Sequence, residues 1–156
     1  MAYTILYVED EFAIVELISE ILDHPEVNFQ MSLTAEGGLR KARAIKPDLI
    51  ILDVLMPIRD GWSIYNEIRA DEALKQTPII MLTGQMHRYY VVKQFEKSAI
   101  DAYITKPFNA STVRDEVEKM LGVTLWSRPS TPPLPAAAQT QDGERVDNDV
   151  KQSRTV

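Results

Sequence analysis

An α/β fold, a parallel sheet wrapped by helices, is what this sequence predicts, and three observations predict it. Short apolar runs and amphipathic stretches alternate five times between Thr4 and Gly122. Two of the runs, residues 49–52 and 79–82, are continuously apolar rather than alternating, which fits strands covered by helices on both faces. The runs stop abruptly at polar residues, where a strand gives way to a loop or helix. Such alternation implies parallel strands joined by right-handed crossovers. A chain of 156 residues suits one domain with a sizeable core.

Residues 4–8 are apolar, β-branched and aromatic, as in a central strand, and they stop at the acids Glu9, Asp10 and Glu11. Ile14, Ile18, Ile21 and Leu22 then recur as one helical face, ending near His24 and Pro25. Residues 27–33 interleave polar with apolar side chains, which predicts a strand at a wetter sheet edge. Thr34 is placed to cap a second helix carrying Leu39, Ala42, Ala44 and Ile45, which stops before Pro47.

The third strand, residues 49–52, ends at Asp53. Pro57 has no backbone donor and Asp60-Gly61 is a turn pair, so a loop leads to a third helix with Ile64, Tyr65 and Ile68 inward. The fourth strand, residues 79–82, ends at Thr83-Gly84. Val91, Val92, Phe95 and Ala99 stripe a fourth helix, with Arg88, Lys93 and Lys97 toward solvent. Residues 102–104 form a fifth strand, which ends at Thr105-Lys106-Pro107-Phe108. Asn109 caps a fifth helix bearing Val113, Val117 and Leu121, and Gly122 closes it.

Composition narrows the function. There is no cysteine, so disulfide and thiol chemistry are excluded, and two histidines do not suit a His-rich metal site. The amino terminus lacks a basic leader, and no apolar run reaches membrane-spanning length, so a cytoplasmic location with no membrane partner is expected. A net charge of −6 speaks against direct nucleic-acid binding, which needs a basic footprint. All of that charge belongs to residues 1–125, the expected folded domain. Residues 126–156 are charge-balanced and rich in Pro, Ser, Thr and Ala. Too little apolar surface is available there to offset ordering entropy, so a tail that is disordered or ordered by a partner is expected. Trp126 is the exception and should pack on the domain.

In open α/β sheets ligands collect at the carboxyl ends of strands. Those ends carry Glu9, Asp10 and Glu11, then Asp53, Thr83 and Lys106. A strand-end Asp is by itself most often a turn residue, Thr83 singly reads as a cap, and Lys106 as a solvated charge. Together they weigh differently. If the first and third strands are neighbours, the acids of both face one another. Two like charges about 4 Å apart repel by roughly 4 kcal/mol at an effective dielectric of about 20, so the cluster calls for a cation. Mg²⁺, a hard ion with oxygen ligands, answers that need. A carboxylate beside Mg²⁺, an ammonium and a hydroxyl meets the requirements for receiving a phosphoryl group, with Asp53 as nucleophile.

The set Glu9-Asp10, Asp53-x-x-Met56-Pro57-x-x-Asp60-Gly61, Thr83-Gly84 and Lys106-Pro107-Phe108 resembles the receiver domain of bacterial two-component response regulators. The resemblance spans about residues 3 to 122. It implies a flavodoxin-like (βα)₅ sheet of order 2-1-3-4-5. It further implies that Asp53 is the phosphoacceptor, charged by a histidine kinase or a histidine phosphotransfer protein. Asp10, Asp53 and the Leu55 backbone carbonyl would hold Mg²⁺, with Glu9 acting mainly through water. Glu9 stands where the family often has Asp. Lys106 and Thr83 would bind phosphoryl oxygens, Pro107 would follow a cis peptide, and Tyr103 would be the switch aromatic. Tyr103 reads equally as a half-buried strand residue, and Glu11 as a surface acid in a first helical turn.

The resemblance also implies an output face made by the fourth helix, fifth strand and fifth helix, with Tyr89, Tyr90 and Lys97 as candidates, acting on a downstream protein or in a homodimer. No output domain follows in this sequence, so a stand-alone receiver of the chemotaxis type, or a truncated regulator, is expected. Two other readings stand beside the signalling one. A Mg²⁺-dependent hydrolase working through aspartyl phosphate would need a general acid two residues after Asp53, where Leu55 stands. A binding module with a vestigial acidic site would ignore phosphorylation. Leu55 and Gln85 occupy positions that tune phosphoryl lifetime in the family, and an apolar Leu55 predicts a long-lived phosphoryl group.

Overall fold

The computed structural model describes residues 2–84, 93, 95 and 98–126. β1 (Tyr3–Val8), β2 (Val27–Ser32), β3 (Leu49–Asp53), β4 (Ile79–Thr83) and β5 (Asp101–Thr105) form one sheet in the order β2-β1-β3-β4-β5. Every pairing is parallel. The described helices are α1 (Phe12–Ile21), α2 (Ala35–Ile45), α3 (Gly61–Ala70) and α4 (Ala110–Leu121), the last being the fifth helix of the sequence reading. The flavodoxin-like doubly wound fold follows from this order.

Strand periodicity divides the core into two layers. Leu6, Val8, Ile50, Leu52 and Met81 pack with α2 and α3, while Ile5, Tyr7, Leu49, Ile51 and Ile80 pack with α1 and α4. Successive strand residues point to opposite faces, so strands buried on both sides must be apolar at every position. β3 and β4 are buried throughout, and truncating a residue such as Leu52 to Ala is expected to cost about 2–5 kcal/mol. β2 is one of the two edge strands, β5 being the other, and is only partly covered. It ends at Ser32, one residue earlier than the polarity pattern predicts, which leaves Leu33 in the loop and exposed.

The helix ends are fixed locally. Thr34 Oγ1 accepts from Gly37 N at 3.0 Å, Asp60 Oδ1 from Ser63 N at 2.9 Å and Asn109 Oδ1 from Thr112 N at 2.9 Å. Each satisfies a first-turn amide that the helix itself leaves unpaired. Gly122 closes α4 at φ 68°, a conformation that costs glycine little. Trp126 packs on the domain as expected, edge-on to His24 and under the Arg114 guanidinium.

Of the helix predicted between β4 and β5, Lys93 and Phe95 are described, both helical, the first exposed and the second buried. Arg88, Tyr89, Tyr90, Val91, Val92 and Lys97 lie outside the described residues, as do Gln85 and the tail beyond Trp126. Ala99 corrects the predicted stripe. It is exposed and lies in a bend, because the chain must already be turning toward β5: Ser98 N donates to Phe95 O at 3.0 Å, and Ser98 Oγ to Asp101 Oδ2 at 2.6 Å.

That serine belongs to a polar cluster at the start of β5. Arg69 Nη2 donates to Asp101 Oδ1 at 2.6 Å and Nη1 to the Thr77 carbonyl at 2.7 Å, while Tyr65 OH donates to Asp101 Oδ2 at 2.9 Å. A buried carboxylate with this many donors ties α3 to β5 at the sheet end away from Asp53.

Candidate functional site

The site follows from the register of β1 against β3. Val8 pairs with Leu52, so the residues after β1 come abreast of Asp53 at the end of β3. Glu9 and Asp53 are buried and Asp10 is exposed, and one carboxylate oxygen from each lies within 4.8 Å of the others. Thr83, at the end of the neighbouring β4, is buried at the same sheet edge. The Lys106 amide donates to the Thr83 carbonyl at 2.8 Å, which extends the pairing of β4 and β5 by one residue beyond the strands. The predicted acids, threonine and lysine thus share one edge.

Both oxygens of Asp53 are held. Oδ1 accepts from the Leu55 amide at 2.8 Å, and Oδ2 from Lys106 Nζ at 2.5 Å. The same ammonium lies 3.6 Å from Glu9 Oε2. The Leu55 side chain points to solvent, 58% exposed, so the backbone of this residue serves Asp53 and its side chain does not. The Thr83 hydroxyl donates to the Gly84 carbonyl at 3.1 Å. The Lys106–Pro107 peptide is cis. Tyr103 is half-buried and packs on the core layer shared with α2 and α3.

Gly61 lets α3 approach this carboxylate. Its amide donates to the Val54 carbonyl at 3.0 Å, and a Cβ there would lie 2.1 Å from the Asp53 carbonyl oxygen. Only glycine permits that contact, so Asp60-Gly61 is both a helix start and a backing plate for the end of β3.

Glu9 is legible in the sequence as a site acid, but its burial is not. It is fully buried, accepts from Tyr7 OH at 2.9 Å and from the Glu11 amide at 3.2 Å, and so sits inside the site rather than at its rim. Burial, then the hydrogen bond and charge of Asp53, push its carboxyl up to about 8. Burial and the Glu9 carboxylate drive the Tyr7 phenol up as well. Burial alone would lower Lys106, but the hydrogen bond and charge of Asp53, with Glu9 behind it, outweigh that and raise it.

One lysine meets two buried carboxylates, with Asp10 close beside them, and burial together with the Asp53 carboxylate favours the protonated form of Glu9. A hard divalent cation with oxygen ligands fits this donor set and would remove the need for that proton.

Comparison with known proteins agrees with this geometry. The chain is 35% identical over 127 residues to the alkaline phosphatase synthesis transcriptional regulatory protein PhoP of Bacillus subtilis, covering 81% of this chain and 52% of that protein. It thus spans about half the length of the transcriptional regulators it matches. It is 36% identical over 126 residues to the chemotaxis protein CheY of Halobacterium salinarum, covering 78% of this chain and 98% of that one. Among solved structures, chemotaxis protein CheY4 of Vibrio cholerae superposes with a TM-score of 0.69 at 26% identity, covering 78% of this chain and 100% of that chain. The response regulator receiver domain matches residues 5–118, which take in every strand end that carries the site, and the chain belongs to that family.

Proposed function

We propose that this chain is a phosphorylation-switched signalling receiver in which Asp53 accepts a phosphoryl group from a histidine kinase or a histidine phosphotransfer protein. The supporting observation is the hold on Asp53: one oxygen on the Leu55 amide, the other on Lys106, at 2.8 and 2.5 Å. An Asp53 oxygen attacks the phosphorus of phosphohistidine. The P–N bond breaks, and the imidazole nitrogen leaves with the electron pair and takes up a proton. Asp10, Asp53 and the Leu55 carbonyl are the residues that would hold Mg²⁺, with Glu9 acting through water. Its chemistry there is to offset negative charge on the phosphoryl oxygens.

The chain's own groups do the rest. Lys106 holds a phosphoryl oxygen by charge, and Thr83 turns its hydroxyl from the Gly84 carbonyl toward the new acceptor. Movement at Thr83 shifts β4 and the segment after it, and Tyr103 changes its packing between two populated states. The surface so altered, built from the segment before β5, β5 itself and α4, engages a downstream protein or a second copy of the chain. Residues 1–125 form the receiver unit in this reading, 126–156 are a tail, and the setting is cytoplasmic. The apolar side chain of Leu55 offers no acid to a hydrolase.

Labelling with a small phosphoramidate or acyl phosphate tests the reading. Intact-mass measurement should find one phosphoryl group that depends on Mg²⁺ and is lost in Asp53→Asn. Equal labelling of that variant would sink the assignment.

A further inference from the structure

The loop between β3 and α3 also walls a groove beside the acidic site, with Asp10 common to the two. Leu33, Ala35, Met56, Pro57 and Ile58 give it an apolar lining, and its volume is 310 Å³. That is the low end of the range for small-ligand pockets and room for one or two side chains. Two acids, Asp10 and Glu36, also line it. The one basic residue there, Arg59, is already engaged, by Glu36 at 2.7 Å, by Glu67 and by Ser63 Oγ at 2.9 Å.

Ile58 supplies a second observation. Its backbone lies at φ 68°, where a β-branched residue is strained, and its side chain is fully exposed, so burial returns nothing. Glycine or asparagine would relieve the strain. The Arg59 contacts next to it brace the loop in this shape. Strain held by its surroundings at an exposed apolar residue points to a contact outside the chain.

We propose that this groove docks a partner polypeptide that inserts an apolar side chain between Leu33 and Ile58 and sets lysine or arginine against Asp10 and Glu36. Charge complementarity selects this occupant. Among the described residues lining the groove two carboxylates, Asp10 and Glu36, stand against one guanidinium, Arg59, and the whole chain carries −6. An acidic segment would be repelled, and a neutral one would leave the acids unanswered. The proposal stands apart from phosphoryl transfer to Asp53, with Asp10 the residue common to both places.

Methyl spectra of the full chain titrated with acetyl-Lys-Leu-Leu-Lys-amide test it. The Leu33, Met56 and Ile58 methyls should shift saturably, and both acetyl-Glu-Leu-Leu-Glu-amide and acetyl-Lys-Ser-Ser-Lys-amide should bind at least about tenfold more weakly. Ile58→Asn should unfold at higher denaturant, keep its labelling at Asp53 and bind the lysine peptide about fivefold more weakly. Absence of a saturable shift, equal binding of either control peptide, or undiminished binding by Ile58→Asn overturns the proposal. Loss of Asp53 labelling in wild type would instead count against the receiver reading alone.

Discussion

Lys106 Nζ holds Asp53 Oδ2 at 2.5 Å and lies only 3.6 Å from Glu9 Oε2, so one ammonium answers two buried carboxylates. It therefore competes with any cation drawn to the same oxygens. At about 6 Å and an effective dielectric near 40, a unit charge is worth roughly 1.4 kcal/mol, about a factor of ten in binding. Lys106→Met is expected to bind Mg²⁺ about tenfold more tightly by calorimetry, while losing the structural response to beryllofluoride. Unchanged or weaker Mg²⁺ binding would mean that the lysine does not contest the carboxylates.

Glu9 makes stability depend on pH. Its carboxyl holds its proton up to about pH 8 when folded and gives it up near the usual glutamate value when unfolded. Between those limits the folded state binds more protons, so stability falls as pH rises from about 4.5 to 8. The raised Lys106 gives a slope of the same sign, stability falling as pH rises, but only near and above the ordinary lysine range, outside this window. Urea unfolding with chelator present should therefore find the chain less stable at pH 8 than at pH 6, by on the order of 2 kcal/mol. Glu9→Gln should flatten that slope. A wild-type chain whose stability climbs from pH 6 to 8 would show that Glu9 is ionised throughout.

Gly61 and Gly84 make a matched pair for testing how the third helix supports the site. A methyl at Gly61 would run into the Asp53 carbonyl oxygen, whereas one at Gly84 meets nothing within 4 Å among the described residues. Gly61→Ala is expected to cost about 3 kcal/mol or more and to slow labelling of Asp53, because the end of β3 must move. Gly84→Ala should change stability by less than about 0.5 kcal/mol. Chemical denaturation of both variants checks the contrast, and equal losses would contradict it.

Much of the fold was legible because each strand is an apolar run that ends on a residue with its own chemistry. Asp53, Thr83 and Lys106 stand out for that reason, and their meeting at one edge follows once β1 and β3 are neighbours. The caps Thr34 and Asn109 were legible too, being local. What escaped depends on partners far apart in sequence. Glu9 was read as a site acid at the end of β1, but its burial was not legible, because only the central place of β1, with Tyr7 beside it, buries it. Asp101 binds Arg69 across 32 positions, and neither residue carries a pattern that announces the other. Ile58 was hidden for a different reason: nothing in a Met-Pro-Ile-Arg string reveals a positive φ.

Leu55 sets the expected lifetime of the phosphorylated state. Its amide is committed to Asp53 Oδ1, and its side chain, 58% exposed, has no group with which to orient an attacking water. Hydrolysis of an aspartyl phosphate needs such a water in line with the bond to be broken. An amide side chain at this position could hold one without altering the backbone contact. Leu55→Asn is therefore expected to lose its phosphoryl group about tenfold faster, with little change in folding stability. Decay of radiolabelled protein after removal of the phosphodonor measures both. A wild-type half-life of seconds, or equal decay in the two proteins, would mean that water is positioned by some other group.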